Sequence, residues 1–593
     1  MNPTTPLSAP IDFLLQSYNA LDPSVAADPT QLLYNLLEAR PAPLTEAQVI
    51  RSETQPTFGK NYTEDKSAQT SYTNTAVSLG IEGSYGVYSG SVKVDYEKET
   101  DTASETLRSD YNSHTSCGTL VFSHSDDSVA IAAQLSPPVT AALNAIRTLA
   151  DAERFTQTHG THVILGVKLG GSLSIVIQIS SSSFSEKEKL SAEVTAAYNG
   201  IGSVSAVAQA AHETKVAASA SAVKQELKAM GGSFSTISLL DLNNEDSIKA
   251  WESSCSPATV SGLHKSIEFW KLATDTTAGP LLRHYLDLCL LKYSLENPVV
   301  FSNYGAITAF QYNTVTATVD ANYKIIGGGA WLDPNGPDFL TASFPQLDSN
   351  QAINGWQAVS HDCMVASGGN SSVVAYALGV HDPANLLHIA CTSASGSNPT
   401  IGADSAVAKV ADGSLLTGGG IETSSDQPAA RYVTGTFPGP HGSTDFNSWV
   451  ARGHDYANAS AATLTAWAVG LSAPNAKELL ITKTVVTVNG GQQSHGTSFA
   501  ALGTNQKIAG GGVELEQPGS ESPDSLQNLL HATFPTTHQG VFGWQEYDGD
   551  LNGVFDKVVA TAYGFTLAAT STVAGVTFKP FNVQARALAP TVA

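Results

Sequence analysis

Three copies of one pattern constrain the second half of this 593-residue chain more than any other feature. The segments "YKIIGGGAWL" (323–332), "SLLTGGGIET" (414–423) and "QKIAGGGVEL" (506–515) align on their glycine triplets. Those triplets begin at Gly327, Gly418 and Gly510, spaced 91 and 92 residues apart. A Phe-Pro pair follows each, ending at Pro345, Pro438 and Pro535. Then comes a tryptophan six residues before an aspartate: Trp356/Asp362, Trp449/Asp455 and Trp544/Asp550. Each unit closes on an alternating stretch, "VVAYALGV", "TLTAWAVGL" or "VVATAYGF". Four features in one order, three times, predict an all-β domain with pseudo-threefold symmetry over 299–593, with repeats at about 305–382, 395–472 and 485–567. The triplets suit close backbone approach or bulges near an axis. The tryptophans read either as core packing within each repeat, which is preferred, or as ligand-stacking residues.

The chain before this domain has a different texture. A helical pattern, "LLRHYLDLCLLKYSL", stops at Glu296-Asn297-Pro298, which marks a boundary. Residues 61–298 alternate strand-like and helix-like stretches, and the Pro-rich residues 1–60 read as an N-terminal extension packed on them. So long a chain exceeds one hydrophobic core. With 42% hydrophobic and 14% charged residues it has a globular profile. The formal net charge of −23 argues against nucleic acid as a partner and against purely electrostatic docking on anionic lipid. It favours a soluble, monomeric resting state. Five cysteines, none in a CxxC pair, argue against a disulfide framework or zinc site and leave one candidate bridge, Cys363 to Cys391. The first twenty residues have no basic residue before their short apolar patch, so they do not read as a Sec signal peptide. No run of about 18 apolar residues predicts a membrane-spanning helix. The expectation is release without an evident Sec signal, in soluble form first and at a target-cell membrane later.

Two tracts can satisfy that expectation. In residues 67–92, with Glu82 as the single charge, Val77, Leu79, Ile81, Tyr85 and Val87 fall at alternate positions. The second tract is 181–230; within it residues 194–211 carry no Asp, Glu, Lys or Arg, and Val194, Ala196, Tyr198, Val204, Ala206 and Ala208 share one face at period 2. The flanks, rich in Ala, Glu and Lys, also suit helices. A membrane-spanning strand needs only about 9–11 residues with one apolar face. Each tract is therefore long enough for one amphipathic hairpin, and as loosely packed helices in water each would leave its domain at small cost. The plain alternative is two ordinary Ala/Ser-rich helices or surface strands.

Phe155 and the run His159-Gly160-Thr161-His162, followed by "VILGVKLGGSLSI", resemble the signature of the membrane attack complex/perforin (MACPF) superfamily. Gly170 and Gly171 break that strand. Downstream, "MGGSFSTISLL" with Gly231-Gly232 resembles the family's double-glycine bend, and "WESSCSPATVSGLHKSIEFW" its closing pattern. The order also fits over roughly 65–295, although His159 and Val163 stand where aromatics are usual. The resemblance implies an α+β domain, a bent antiparallel sheet flanked by helical clusters at about 67–110 and 180–230. It further implies that glycines permit the bend and its straightening, with Thr161 and His162 hydrogen-bonding across it. His159 and His162 suit either this structural role, which is preferred, or a pH switch. The triplicate domain resembles the β-tripod of insecticidal bacterial MACPF proteins.

Enzyme motifs are missing. "HETKV" at 212–216 lacks the second His of HExxH, and "GTSFA" at 496–500 lacks the last Gly of GxSxG. Nothing in the sequence calls for a metal or organic cofactor. The reading is a non-enzymatic pore-forming toxin. Its triplicate domain would recognise a membrane receptor (glycan, protein or lipid), its subunits would assemble into a ring, and both tracts would insert. A non-lytic adhesion protein of the same fold is the alternative.

Overall fold

Strand accounts for most of the described residues. The computed structural model describes residues 9–21, 36–65, 106–180, 223–237, 245–306, 312–332, 338–362, 372–396, 403–424, 431–439, 447–455, 463–493, 497–503, 506–516, 528–538, 541–550 and 556–579. These divide into two compact units, one of residues up to Leu290 together with Ser571 onward, the other of 291–570.

The first unit is built on one antiparallel sheet. Its strands are β1 (Ser17–Tyr18), β2 (Val49–Asp65), β3 (Thr106–Phe122), β4 (His162–Ser180), β5 (Val223–Gly231) and β6 (Val260–Glu268). β4 is the central strand. Its first half, "HVILGVKL", is a near-continuous apolar run and is buried on both faces apart from Lys168. One edge of β4 pairs with β1 at His162–Val163 and with β3 from Gly166 to Ser180. The other edge pairs with β6 along its first half and with β5 along its second. β2 pairs with β3 along its whole length. The helices are α1 (Ser128–Ala133), α2 (Pro137–Asn144), α3 (Leu149–His159), α4 (Phe234–Ile237), α5 (Glu245–Ser254) and α6 (Ala278–Glu296). Thr148 caps α3 in a capping box with Asp151, whose carboxyl this hydroxyl holds below its usual range. Leu149, Ala152 and Phe155 give α3 its buried face.

Two expectations differ from what is seen. Residues 106–110 and 223–230, expected in helical clusters, are strand, because ladder pairing to β4 overrides their helix propensity. Residues 571–579 cluster with the first unit, not with the repeat domain expected over 299–593, and the division falls at 290/291 rather than at 298. Glu153 of α3 explains the former: its Oε1 accepts from the Thr577 amide at 3.0 Å and from the Thr577 hydroxyl. Tyr285 also stacks on Phe578.

Among the described residues, the second unit is all strand after α6. The first repeat supplies β7 (Val299–Ala306), β8 (Asn313–Ala317), β9 (Tyr323–Leu332), β10 (Asp338–Leu347), β11 (Ile353–Asp362) and β12 (Ser372–His381). The second supplies β13 (His388–Gly396), β14 (Ala403–Lys409), β15 (Leu415–Ser424), β16 (Arg431–Pro438), β17 (Ser448–Asp455) and β18 (Thr463–Ser472). The third supplies β19 (Leu479–Gln493), β20 (Thr497–Ala501), β21 (Gly510–Glu516), β22 (Asn528–His538), β23 (Val541–Asp550) and β24 (Asp556–Ala569).

These strands form three six-stranded sheets, and no sheet belongs to one repeat. Their orders are β13-β18-β15-β10-β11-β8, β20-β23-β22-β9-β12-β7 and β14-β17-β16-β21-β24-β19. In each, the fourth, fifth and second strands of one repeat meet the third, sixth and first strands of another. The seams are short: Ser343↔Ile421, Gly435↔Glu514 with Thr436↔Val513, and Ala532↔Trp331 with Thr533↔Ala330. The last seam returns the third repeat to the first.

Candidate functional site

A line of irregularity crosses the sheet of the first unit. The β2–β3 register shifts between Glu53 and Thr57, and the β3–β4 register between Ser116 and Gly118. Next to these lie Gly170-Gly171 of β4 and, paired with Gly171, Gly231 at the end of β5. Gly118, Gly170 and Gly231 have φ of 114°, 122° and 70°. A β-carbon on any of them would overlap a neighbouring carbonyl oxygen, that of Ser52, Thr115 or Gly170 respectively. Three adjacent strands thus change course where only glycine fits.

Helix α5 covers this line. Trp251 is fully buried, and its indole N–H donates to the Gly231 carbonyl at 3.1 Å. A β-carbon on Gly171 would overlap Cys255 Sγ and stand 2.8 Å from the Trp251 ring. Ser254 Oγ accepts the Ser233 amide, and Thr259 Oγ1 donates to the Gly170 carbonyl, both at 2.8 Å. Burial pushes the Cys255 thiol up to about 12, with Cys117 adding to the effect. Burial raises Cys117 as well. Both are free, buried thiols and so low in nucleophilicity.

Gly160-Thr161-His162 has a different place from the one expected. It lies at the junction of α3 and β4, not across the glycine bend. Gly160, at φ 80°, ends the helix. Thr161 binds the N-terminal segment: its amide donates to the Tyr18 carbonyl, and its hydroxyl accepts the Ala20 amide, both at 2.8 Å. His162 is fully buried, stacked on Tyr18 with ring centroids 5.1 Å apart and its Nδ1 2.7 Å from Thr161 Oγ1. Phe155 packs on Phe269 and His159, and burial lowers the His159 pKa. Burial opposes ionisation of Glu268, yet the hydrogen bond from Lys271 and the nearby His162 hold its carboxyl below the usual range.

Beyond the bend, β2, β3, β4 and β5 continue side by side to one edge. Asp65, Arg108, Gln178 and Lys224 form a single row there. Residues 66–105 and 181–222 connect these strand ends and lie outside the described residues, as do Val77, Leu79, Ile81, Tyr85, Val87, Val194, Ala196, Tyr198, Val204, Ala206 and Ala208.

In the second unit, Trp356, Trp449 and Trp544 are buried to within 1%. Each donates to a hydroxyl on the fourth strand of its own repeat: Ser343 (3.0 Å), Thr436 (2.8 Å) and Thr533 (2.9 Å). Each indole lies over the middle glycine of its own triplet, Gly328, Gly419 or Gly511, where a β-carbon would overlap the ring. The first glycines include a direct contact, with Gly327 and Gly418 backbones packed together. Asp362, Asp455 and Asp550 each end a fifth strand, opposite the first residue of a fourth strand. Cys391 is a free thiol, and Cys363 lies outside the described residues. Among the described residues no group of His, Cys, Asp and Glu could hold a metal ion, and no helix is long and apolar enough to cross a membrane.

The sequence motifs mark Gly170, Gly171, Gly231 and Gly232, and carry Trp251 and Cys255 within the closing pattern, but do not include Gly118. Gly118 is the single glycine between Gly90 and Gly160, inside a strand-like run, and that isolation was its signal.

Residues 46–257 match the family model described as MAC/Perforin domain, MACPF. That stretch, which contains the bend and most of the sheet, is a MACPF domain. Among solved structures, GNIP1Aa from Chromobacterium piscinae matches at 12% identity and TM-score 0.32, over 69% of this chain and 78% of that one. A putative cell invasion protein with a MAC/Perforin domain from Bacteroides thetaiotaomicron matches at 15% and 0.34, over 52% and 65%. Astrotactin-2, a vertebrate-specific perforin-like membrane protein, matches at 10% and 0.32, over 62% and 72%. No curated protein matches the chain.

Proposed function

We propose that this chain is a pore-forming protein. A soluble monomer binds a target-cell membrane through the second unit and assembles edge to edge into a ring. Each subunit then adds two amphipathic hairpins to a large transmembrane barrel. The observation that carries this reading is the common row of strand ends at Asp65, Arg108, Gln178 and Lys224. Residues 66–105 and 181–222 both leave the sheet from that row, and each is long enough for two membrane-spanning strands of about 9–11 residues. Extending four strands already in antiparallel order requires no change of pairing, and closure of the ring satisfies their hydrogen bonds in lipid. β2 pairs only with β3 among the described residues, which supports assembly through its outer edge. The cyclic exchange of half-sheets supports a pseudo-threefold, tripod-like second unit that carries receptor recognition. By analogy of family, the chain is a bacterial toxin acting on insect gut epithelium.

Dye release from receptor-bearing vesicles tests the reading. Wild type releases dye. A charged substitution at Val204 or Ala206, which would meet lipid at a cost of about 2–4 kcal/mol near the bilayer midplane, abolishes release and leaves binding intact. Binding without leakage by the wild type would assign the chain to the non-lytic adhesion proteins instead.

A further inference from the structure

The second unit holds a cavity of about 510 Å³ where the linker between the first and second repeats meets the linker between the second and third. That volume lies in the range of small-molecule sites. Its walls mix apolar groups such as Ile325 and Pro474 with Tyr323, Asn385, His388 and Asn475, the last three exposed.

One ion pair shapes this cavity and is removed from ligand chemistry by its own hydrogen bonds. Asp382 has a side chain only 1% exposed, and its two oxygens accept the Leu386 and Leu387 amides, each at 2.8 Å. Lys324 stands 2.8 Å from the same carboxylate, and its ammonium also donates to Asn385 Oδ1 at 2.6 Å and to the Leu387 carbonyl. All three ammonium donors are therefore engaged, and the charges cancel. Fixing Asn385 Oδ1 directs the amide so that its NH₂ is left as a donor. A site without net charge, with amide and imidazole groups around its mouth, has nothing to select an anion, a cation or a purely apolar ligand.

The internal repeat supplies its own comparison. At the positions of Lys324 and Asp382, the second repeat has Leu415 and Ala473, and the third has Lys507 and Leu567. The pair is thus a departure of the first repeat alone. Asn385 also holds a left-handed backbone (φ 54°), uncommon for a residue other than glycine.

We propose that this cavity binds a neutral, hydroxyl-rich ligand, a terminal sugar of a cell-surface glycan. The assignment rests on the reading of the second unit as the membrane-recognition part and names its ligand class. Asn385, His388 and Asn475 supply donors and acceptors to the hydroxyls, and the Lys324–Asp382 pair is a positioning element.

The experiment is ligand-observed NMR on the full chain with free galactose, glucose, mannose, fucose, N-acetylglucosamine and N-acetylgalactosamine at millimolar concentration. At least one sugar is expected to bind. His388→Ala with Asn475→Ala, and separately Asn385→Gly, which keeps the left-handed backbone, are expected to weaken it by about tenfold or more with unchanged Tm, the loss of one or two hydrogen bonds. Vesicles bearing a glycolipid with that sugar, and beads bearing a glycoprotein with it, then distinguish the two sources; retention on either supports the site. Binding of no sugar, or equal binding by the variants, overturns it. A chain that releases dye from receptor-bearing vesicles yet ignores every sugar overturns the glycan assignment alone. A chain that binds sugar through these residues and releases no dye leaves the site standing and removes the pore.

Discussion

Gly171→Ala asks whether helix α5 is packed tightly against the glycine line. The added methyl would overlap Cys255 Sγ and lie 2.8 and 3.2 Å from two carbons of the Trp251 ring. Neither neighbour has free space, since Trp251 is fully buried and Cys255 is 7% exposed. Overpacking of this kind costs about 1–3 kcal/mol. Gly171 does not occupy the left-handed region, so alanine also gains about 0.4–1 kcal/mol through the unfolded chain. A net loss of about 1–2 kcal/mol is expected. Cys255→Ala alone leaves a small cavity worth about 1 kcal/mol. Combined, the two substitutions fit together, because the alanine methyl enters the space left by the thiol. The double variant should therefore be more stable than additivity predicts, by about 1 kcal/mol or more. Urea unfolding of the first unit, followed by far-UV circular dichroism, measures all four corners of the cycle. Hydrogen exchange over 245–254 reports whether the helix lifts. An undiminished Gly171→Ala, or strict additivity, would refute the claim that α5 is wedged against the glycine line.

The second unit should lose stability in mild acid. Burial pushes His381 down to about 4, so between the ordinary histidine value and about 4 the unfolded chain binds a proton that the folded one does not. Stability is complete above that window and falls as pH falls through it, by about 3 kcal/mol. His381→Phe should flatten this pH dependence in denaturation curves; an unchanged slope would show that other groups cause it. Trp356→Phe, Trp449→Phe and Trp544→Phe each remove an indole donor to a buried hydroxyl and should lower stability by about 1–3 kcal/mol apiece. If one of them instead abolishes membrane or sugar binding with no change in Tm, that indole stacks on ligand and the packing account fails for it.

What could be read beforehand follows from how far each signal reaches along the chain. The glycine triplets and Trp–Asp pairs are local and repeated, so strand-rich repeats over the second half were legible from spacing alone. The exchange of half-sheets was not, because Ser343↔Ile421 and Ala532↔Trp331 join residues that no periodicity links. Gly170-Gly171 and Gly231-Gly232 stood out as doublets within strand-like runs. Gly118 offers only its isolation within a strand-like run; its place at the bend follows from the register that sets it beside Leu169. Thr161 was expected at the bend, but its partners are Tyr18 and Ala20 from the far N-terminus, contacts invisible to local pattern. Residues 223–230 were ambiguous because their propensity favours helix while their ladder to β4 decides for strand. The Lys324–Asp382 pair is legible only where the three repeats are compared for their differences, because Leu415 and Ala473 of the second and Leu567 of the third depart from it.

The seam between β22 and β9 has a consequence for how this protein is made. An ordinary solenoid grows by adding modules at its end, and each is nearly self-sufficient on arrival. Here the first module waits with half of a sheet missing until the last emerges from the ribosome. Removing any one module would leave half-sheets of both others without their partners. Three is a closed number.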